Sequence, residues 1–219
     1  MIDRHGAILS AADGVWVRRP LSEACETLRS VNRMHHWYCN RDAWKRHVRE
    51  ELVPAAIDGL DLGEDVLEVG PGFGPATEAL VGRGGHVTAL EIDPLLARAL
   101  DAQLAGRARI VAGSGTAMPF PDACFSAAAC FTMLHHVPSA AAQDQLFAEV
   151  SRVLRPGAPF VGTDSTGRGP GFALVHIGDT KVVLDPDELS PRLRAAGFED
   201  IAVRADRDSI FFRAQRPLT

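Results

Sequence analysis

The sequence has no pair of cysteines in CxxC spacing. Its four cysteines, Cys25, Cys39, Cys124 and Cys130, stand apart, which removes the basis for a zinc ribbon or a thioredoxin-like site. It also has no run of about 18 apolar residues, so no membrane span is expected. The opening stretch, MIDRHGAILSAADG, has no long apolar core after a basic start, so it does not read as a signal peptide. A cytoplasmic location with free thiols is the resulting expectation. Positive charge is in deficit: 23 Lys and Arg stand against 28 Asp and Glu, a net charge of -5. That balance argues against a sequence-independent grip on nucleic acid, which needs a dense basic surface. Lysine is almost missing, with only Lys45 and Lys181; we attach no function to the arginine excess.

What is present is ordinary for a folded domain. Of the 219 residues, 46% are hydrophobic and 23% charged, enough for one domain with a sizeable core. Residues 1–20 show only weak patterns broken by Gly6, Gly14 and Pro20, and are expected to be irregular. Ser22 is placed to cap a short helix over 22–30. Residues 42–57 read as a longer helix, with Trp44, Val48, Leu52, Ala55 and Ala56 at three- and four-residue steps. Pro54 within it predicts a bend or a restart. From residue 64, strands and helices alternate. VLEV (66–69), HVTALEI (86–92), ARIVAG (108–113), FSAAACF (125–131) and PFVGTDS (159–165) read as strands. PATEALVGR (75–83), PLLARALDAQLAG (94–106, capped by Asp93) and SAAAQDQLFAEVSRVL (139–154, capped by Ser139) read as helices. This alternation predicts an α/β fold: a doubly wound, mostly parallel sheet with helices on both faces. Further on, FALVHIGDTKVVL (172–184) predicts a hairpin turning at Gly178-Asp179. A helix capped by Asp185 and two closing antiparallel strands follow it.

The chemistry concentrates at VLEVGPGFGPAT (66–77). A strand, a glycine turn and a helix start form a place where a ligand can approach the backbone. The spacing of Gly70, Gly72 and Gly74 is GxGxG, not the GxGxxG of dinucleotide sites. Glu68, two residues earlier, would repel a pyrophosphate at close range. A phosphate-free ligand with a positive charge suits both features. Glu91 ends the next strand, a position that reaches ribose hydroxyls in such folds.

These residues resemble the class I S-adenosylmethionine-dependent methyltransferases, over roughly residues 50 to 215. VLEVGPGFG, TALEIDP, GSGTAMPFPDACFSAAACFTMLHHV, RVLRPGAPFV and LRAAGFEDIAV occur in the family's order. The resemblance extends to the small-molecule methyltransferases of ubiquinone and menaquinone biosynthesis. It implies a Rossmann-like sheet of seven strands with the last antiparallel, a helical N-terminal extension over 1–57, and a cofactor-binding domain over 58–219. It implies that S-adenosylmethionine lies over Gly70, Gly72 and Gly74, with Glu68 toward its ammonium. Glu91 would hold the ribose and Ile92 would pack on the adenine. Ser114, where relatives often carry Asp, would face the adenine amino group with Gly115 and Thr116 beside it. Phe131 would pass beside the cofactor. His135 and His136 would lie near the transferred methyl, one of them as a base, though the pair could equally just end a strand. Ser126 is read as structural.

The segment NRMHHWYCNRDAW (32–44) resembles a lid, with Trp37, Tyr38 and Asn40 as walls of a substrate pocket or else as an anchor between the N-terminal helices and the sheet. Asp164, at the end of the fifth predicted strand, is a further substrate-side candidate, or a cap on the following turn. The predicted 172–184 hairpin would offer an edge for a homodimer. No metal is expected of His35, His36, His135 and His136, because adjacent histidines point in different directions and no carboxylate has ligand spacing. The partner expected is a small-molecule acceptor, not nucleic acid. The competing reading is a non-catalytic binding or scaffolding protein of the same fold.

Overall fold

The computed structural model describes residues 8–12, 15–19, 33–168, 170–179 and 181–219. The predicted helix over 22–30 lies outside them. The chain divides into two compact units, Met1–Val31 and Asn32–Thr219. In the first, β1 (Ile8–Ala12) pairs antiparallel with β2 (Val15–Arg19), Ile8 opposite Arg19 and Ala12 opposite Val15. The expectation of irregular structure over 1–20 is therefore corrected there: Val15, Trp16 and Val17 are strand formers.

The second unit begins with helices. α1 (Arg33–Cys39) and α2 (Asp42–His47) lead into a π-helical stretch, Val48–Leu52, and then α3 (Val53–Ile57). The π-turn falls just ahead of Pro54, whose ring would clash with a carbonyl one α-turn back. It also rotates the buried face. Val48, Leu52, Val53, Ala56 and Ile57 are buried, whereas Ala55, expected on that face, is exposed.

Seven strands form the sheet: β3 (Asp65–Val69), β4 (His86–Glu91), β5 (Arg109–Ala112), β6 (Ala127–Phe131), β7 (Pro159–Ser165), β8 (Glu199–Ala205) and β9 (Ser209–Gln215). Their order is β5-β4-β3-β6-β7-β9-β8. All neighbours pair parallel up to β7, and β9 runs antiparallel to both β7 and β8. This is the Rossmann-like doubly wound sheet expected, with its antiparallel last strand. α4 (Pro75–Val81), α5 (Pro94–Leu104), α6 (Ala140–Val153) and α8 (Pro186–Ala195) complete the layers around it. Asp93, Ser139 and Asp185 cap α5, α6 and α8 with their side chains, as their sequence positions predict. One apolar cluster includes Leu67, Leu146, Phe147, Phe160 and Phe212. The other includes Val66, Leu80, Leu100, Leu104 and Val161. Neighbouring strand positions, such as Val66 and Leu67, divide between the two because successive side chains point to opposite faces. Ala127, Ala128 and Ala129 of β6 are 0% exposed, so the strand poor in large residues is covered on both sides.

The predicted hairpin over 172–184 does not form. Residues Pro170–Val175 are a short helix, α7. The KVVL segment after it has no regular secondary structure, with the Val182 N–H donating to the His135 carbonyl at 2.8 Å and the Val182 carbonyl accepting from Gln143 Nε2 at 2.8 Å. These bonds hold 181–184 against the main sheet unit, and among the described residues of 172–184 no strand offers the edge expected for a homodimer.

Candidate functional site

The winding reverses between β3 and β6, and ligands of such sheets bind outside the strand ends at that point. Gly70, Gly72 and Gly74 have φ of +70°, +53° and +81°, left-handed backbone that other residues adopt at a cost. Their surroundings separate their roles. A Cβ at Gly70 would lie 2.9 Å from Met133, and one at Gly74 would lie 2.3 Å from Leu100 Cδ1, so both are needed for close packing. A Cβ at Gly72 would meet nothing within 4 Å. Gly72 borders open space that a ligand can fill.

Glu68, on β3, is only 1% exposed, and among the described residues its Oε2 has no hydrogen-bond partner. Burial pushes its carboxyl up to about 8; the nearby Thr77 hydroxyl offsets part of this and Glu91 adds to it. A carboxylate is costly here unless a cation meets it. The donor set fits a ligand with an ammonium group. Glu91 has a bracing role that the sequence did not reveal. Its Oε2 accepts from the Gly72 N–H at 3.0 Å and its Oε1 from the Asp93 N–H at 2.9 Å. Burial raises its pKa, and these two bonds work against that rise. Each oxygen keeps a lone pair for a ligand hydroxyl. Ile92 is exposed at 40%, open for packing against a ring. Ser114 is engaged locally: its Oγ lies 2.9 Å from the Thr116 hydroxyl and accepts from the Thr116 N–H at 3.2 Å. Gly115 is pressed against Leu146 and Val69. Phe131 is buried in an apolar cluster. Ser126 is structural as expected, accepting from the Asp65 N–H at 2.9 Å and donating to the Leu62 carbonyl at 2.7 Å.

Past β6, Thr132 has φ of +52°, strain for a β-branched residue of the sort that gathers at functional sites. It leads into a 3-10 turn, Leu134–His136. His135 is 3% exposed; its N–H donates to Asp164 Oδ2 at 3.1 Å, and its ring Nδ1 bonds Asp164 Oδ1. Asp164 also accepts from the Ser165 N–H. The carboxylate considered as a substrate contact or a turn cap is thus directed mainly at His135. His136 is held neutral, its pKa lowered to about 2 by burial and by the surrounding His135, His35 and His176.

His176, just past α7, escaped the sequence reading because a hairpin was expected there. The available signal was Pro170 followed by Phe172 and His176 four apart, a helical spacing. Its Nδ1–H donates to the Phe172 carbonyl at 2.7 Å, and its Nε2 lies 3.2 Å from Nε2 of His135. His35 of α1 joins the same group, with ring centroids 4.7 Å from His136 and 4.4 Å from His176. Trp37 is 61% exposed with Arg41 over its ring at 4.7 Å, and Asn40 is exposed. Tyr38 packs toward Trp44 at 5.3 Å. On one short helix His35 faces inward and Trp37 outward, so the structure does not gather the proposed wall residues around the histidines. The side chain of His36 is outside the description.

Residues 67–162 match the family model described as a methyltransferase domain. The curated relatives match in part. A ribosomal RNA small subunit methyltransferase A of Mycolicibacterium paratuberculosis is 58% identical over 45 residues, 20% of this chain and 14% of that protein. A sterol 24-C-methyltransferase of Gibberella zeae is 37% identical over 118 residues, 51% of this chain and 30% of that protein. The chain therefore spans less than a third of either relative. Among solved structures, a SAM-dependent methyltransferase of Methanosarcina mazei superposes with a TM-score of 0.61 at 20% identity, covering 73% of this chain and 95% of that one. Phosphoethanolamine N-methyltransferase 2 of Haemonchus contortus, in complex with S-adenosyl-L-methionine, gives 0.68 at 12% identity, covering 84% and 56%. The fold is that of the Rossmann-like methyltransferases.

Proposed function

We propose that the protein is an S-adenosylmethionine-dependent methyltransferase acting on a small-molecule acceptor. The observation that carries this reading is the buried Oε2 of Glu68, unpartnered among the described residues, on the strand that leads into the turn where Gly72 borders open space. S-adenosylmethionine is the cofactor: Glu68 would hold its ammonium, the remaining lone pairs of Glu91 would meet its ribose hydroxyls, and Ile92 would pack against its adenine. When bound, it would supply an activated methyl group for the acceptor. The chain's task is to hold the acceptor in line and exclude water. An O–H or N–H acceptor also sheds a proton. His135, oriented by Asp164, is the better-placed base; His136, with its pKa near 2, is a poor one at neutral pH.

Met34 and Trp37 on α1, and Leu174 and Ile177 around α7, are exposed apolar side chains on the elements that carry His35 and His176. That suits a ring-bearing acceptor of the quinone or sterol kind better than RNA, and the acidic balance points the same way. The ubiquinone-type subgroup remains the working assignment. Incubation with methyl-labelled S-adenosylmethionine and a panel of quinols, sterols, polar amines and a ribosomal RNA fragment tests it. Label on an apolar small molecule is the expected result. Label on RNA alone overturns the acceptor assignment, and tight cofactor binding with no transfer to any acceptor favours a non-catalytic binder.

A further inference from the structure

Three imidazoles from three separate segments meet past the end of β6: His35 of α1, His136 of the 3-10 turn, and His176 beyond α7. Their candidate ligand nitrogens all lie within 4.8 Å of one another. We propose that His35, His136 and His176 form a binding site for a divalent late first-row transition ion, of which zinc is the representative.

The hydrogen bonds at this point leave a ring nitrogen of His176 for a ligand role. The Nδ1–H of His176 donates to the Phe172 carbonyl, which leaves the lone pair of His176 on Nε2. That tautomer is assigned from the network. Asp164 accepts the backbone N–H groups of His135 and Ser165, and its Oδ1 bonds the ring Nδ1 of His135. Nε2 of His135 lies 3.2 Å from Nε2 of His176. The other rings crowd the same point: His136 packs on His135 at 4.0 Å and on His176 at 5.3 Å.

The chemistry of the donors selects the ion. Imidazole nitrogens suit zinc, copper and nickel, not magnesium or calcium. A tetrahedral zinc with Zn–N near 2.0–2.1 Å sets neighbouring nitrogens about 3.3 Å apart, which rotation of the rings can reach. Asp179 Oδ2 lies 3.4 Å from His35 Nδ1, the place of an outer carboxylate beside a ligating histidine. Three protein ligands leave a coordination position for a water or an acceptor heteroatom, adjacent to the His135–Asp164 pair. Binding of the ion is independent of the methyl-transfer reading; only this use of its open position rests on it.

Titration of the metal-free protein with Co2+ tests the site, read by its visible ligand-field absorption and by metal content after dialysis. We expect a single ion per chain with bands of low-coordinate, nitrogen-ligated Co2+, displaced by Zn2+. His136→Ala and His176→Ala should each weaken binding by roughly 100-fold or more, and Asp179→Asn by about 10-fold, as outer partners of metal-bound histidines do. Circular dichroism and thermal unfolding establish that each variant folds, without reference to any cofactor. Should an alanine variant fail to fold, the wild-type spectrum still decides. Absence of nitrogen-ligated Co2+ in the wild type, or equal affinity in all folded variants, overturns the proposal. Binding of S-adenosylmethionine, measured alongside, reports on the other reading separately.

Discussion

Replacement of Glu68 by Gln keeps the shape of the side chain and removes its ability to ionise. In the ligand-free protein the carboxyl is pushed from an ordinary 4.5 to about 8, chiefly by burial. A difference of that size corresponds to on the order of 5 kcal/mol between the two protonation states. The sign follows from proton counts. Between about pH 4.5 and 8 the unfolded chain has lost this proton and the folded chain keeps it, so the group lowers stability as pH rises through that window. Glu68→Gln should therefore flatten the fall in stability of the free protein between these limits, measured by denaturant unfolding at several pH values. Cofactor binding should respond in the opposite direction. An ammonium opposite Glu68 favours the carboxylate, so binding below about pH 8 should expel a proton, and affinity should climb by up to about tenfold per pH unit. Removing one partner of a buried charge pair costs about 2–5 kcal/mol, so Glu68→Gln should weaken S-adenosylmethionine binding by roughly 30-fold to several-thousand-fold. Calorimetry in buffers of different ionisation enthalpy measures both the affinity and the proton. Wild-type binding with no proton release, together with a Glu68→Gln affinity within about threefold of wild type, would refute the electrostatic argument.

Gly72→Ala and Gly74→Ala should part company. The first adds a methyl in open space and costs about 1–2 kcal/mol for its left-handed backbone, yet should impair cofactor binding; the second forces a methyl onto Leu100 and should lower stability by a further 1–3 kcal/mol or so. Thermal unfolding and cofactor titration on both variants separate the effects. Ser126→Ala leaves the Asp65 N–H and the Leu62 carbonyl without their partner and should cost about 1–3 kcal/mol without altering cofactor affinity, checked by denaturant unfolding. Asp164→Asn should reduce turnover by about 10²–10⁴-fold with little change in cofactor affinity and a shifted pH–rate profile. An unchanged profile would assign Asp164 to structure alone.

The core layers were legible because each rests on a local rule. Alternation of short apolar runs with capped helices specified the parallel sheet, and the caps at Asp93, Ser139 and Asp185 formed where their positions require. Glu68 beside three glycines raised the expectation of a cationic, phosphate-free ligand because the conflict is electrostatic and lies within seven residues. Elsewhere local rules had competitors. VHIGDTKVVL has the turn and the β-branched residues of a hairpin, but its KVVL half bonds to His135 and Gln143, a partnership with segments about 40 residues away that no window reveals. Pro54 warned of a break in the helix, though not that a π-turn would absorb it and bury Val53 and Ile57 in place of Ala55.

The sequence by itself determined the seven strands of the main sheet, the four helices α4, α5, α6 and α8, their parallel winding and the acid that heads the glycine turn, since these follow from periodicity, capping and charges close along the chain. Only the tertiary structure decided that Asp164 serves His135, that Glu91 braces Gly72, and that His176 joins His35 and His136. Those meetings depend on how separate strand ends and helices converge in space, and a convergence of that kind has no spacing to read.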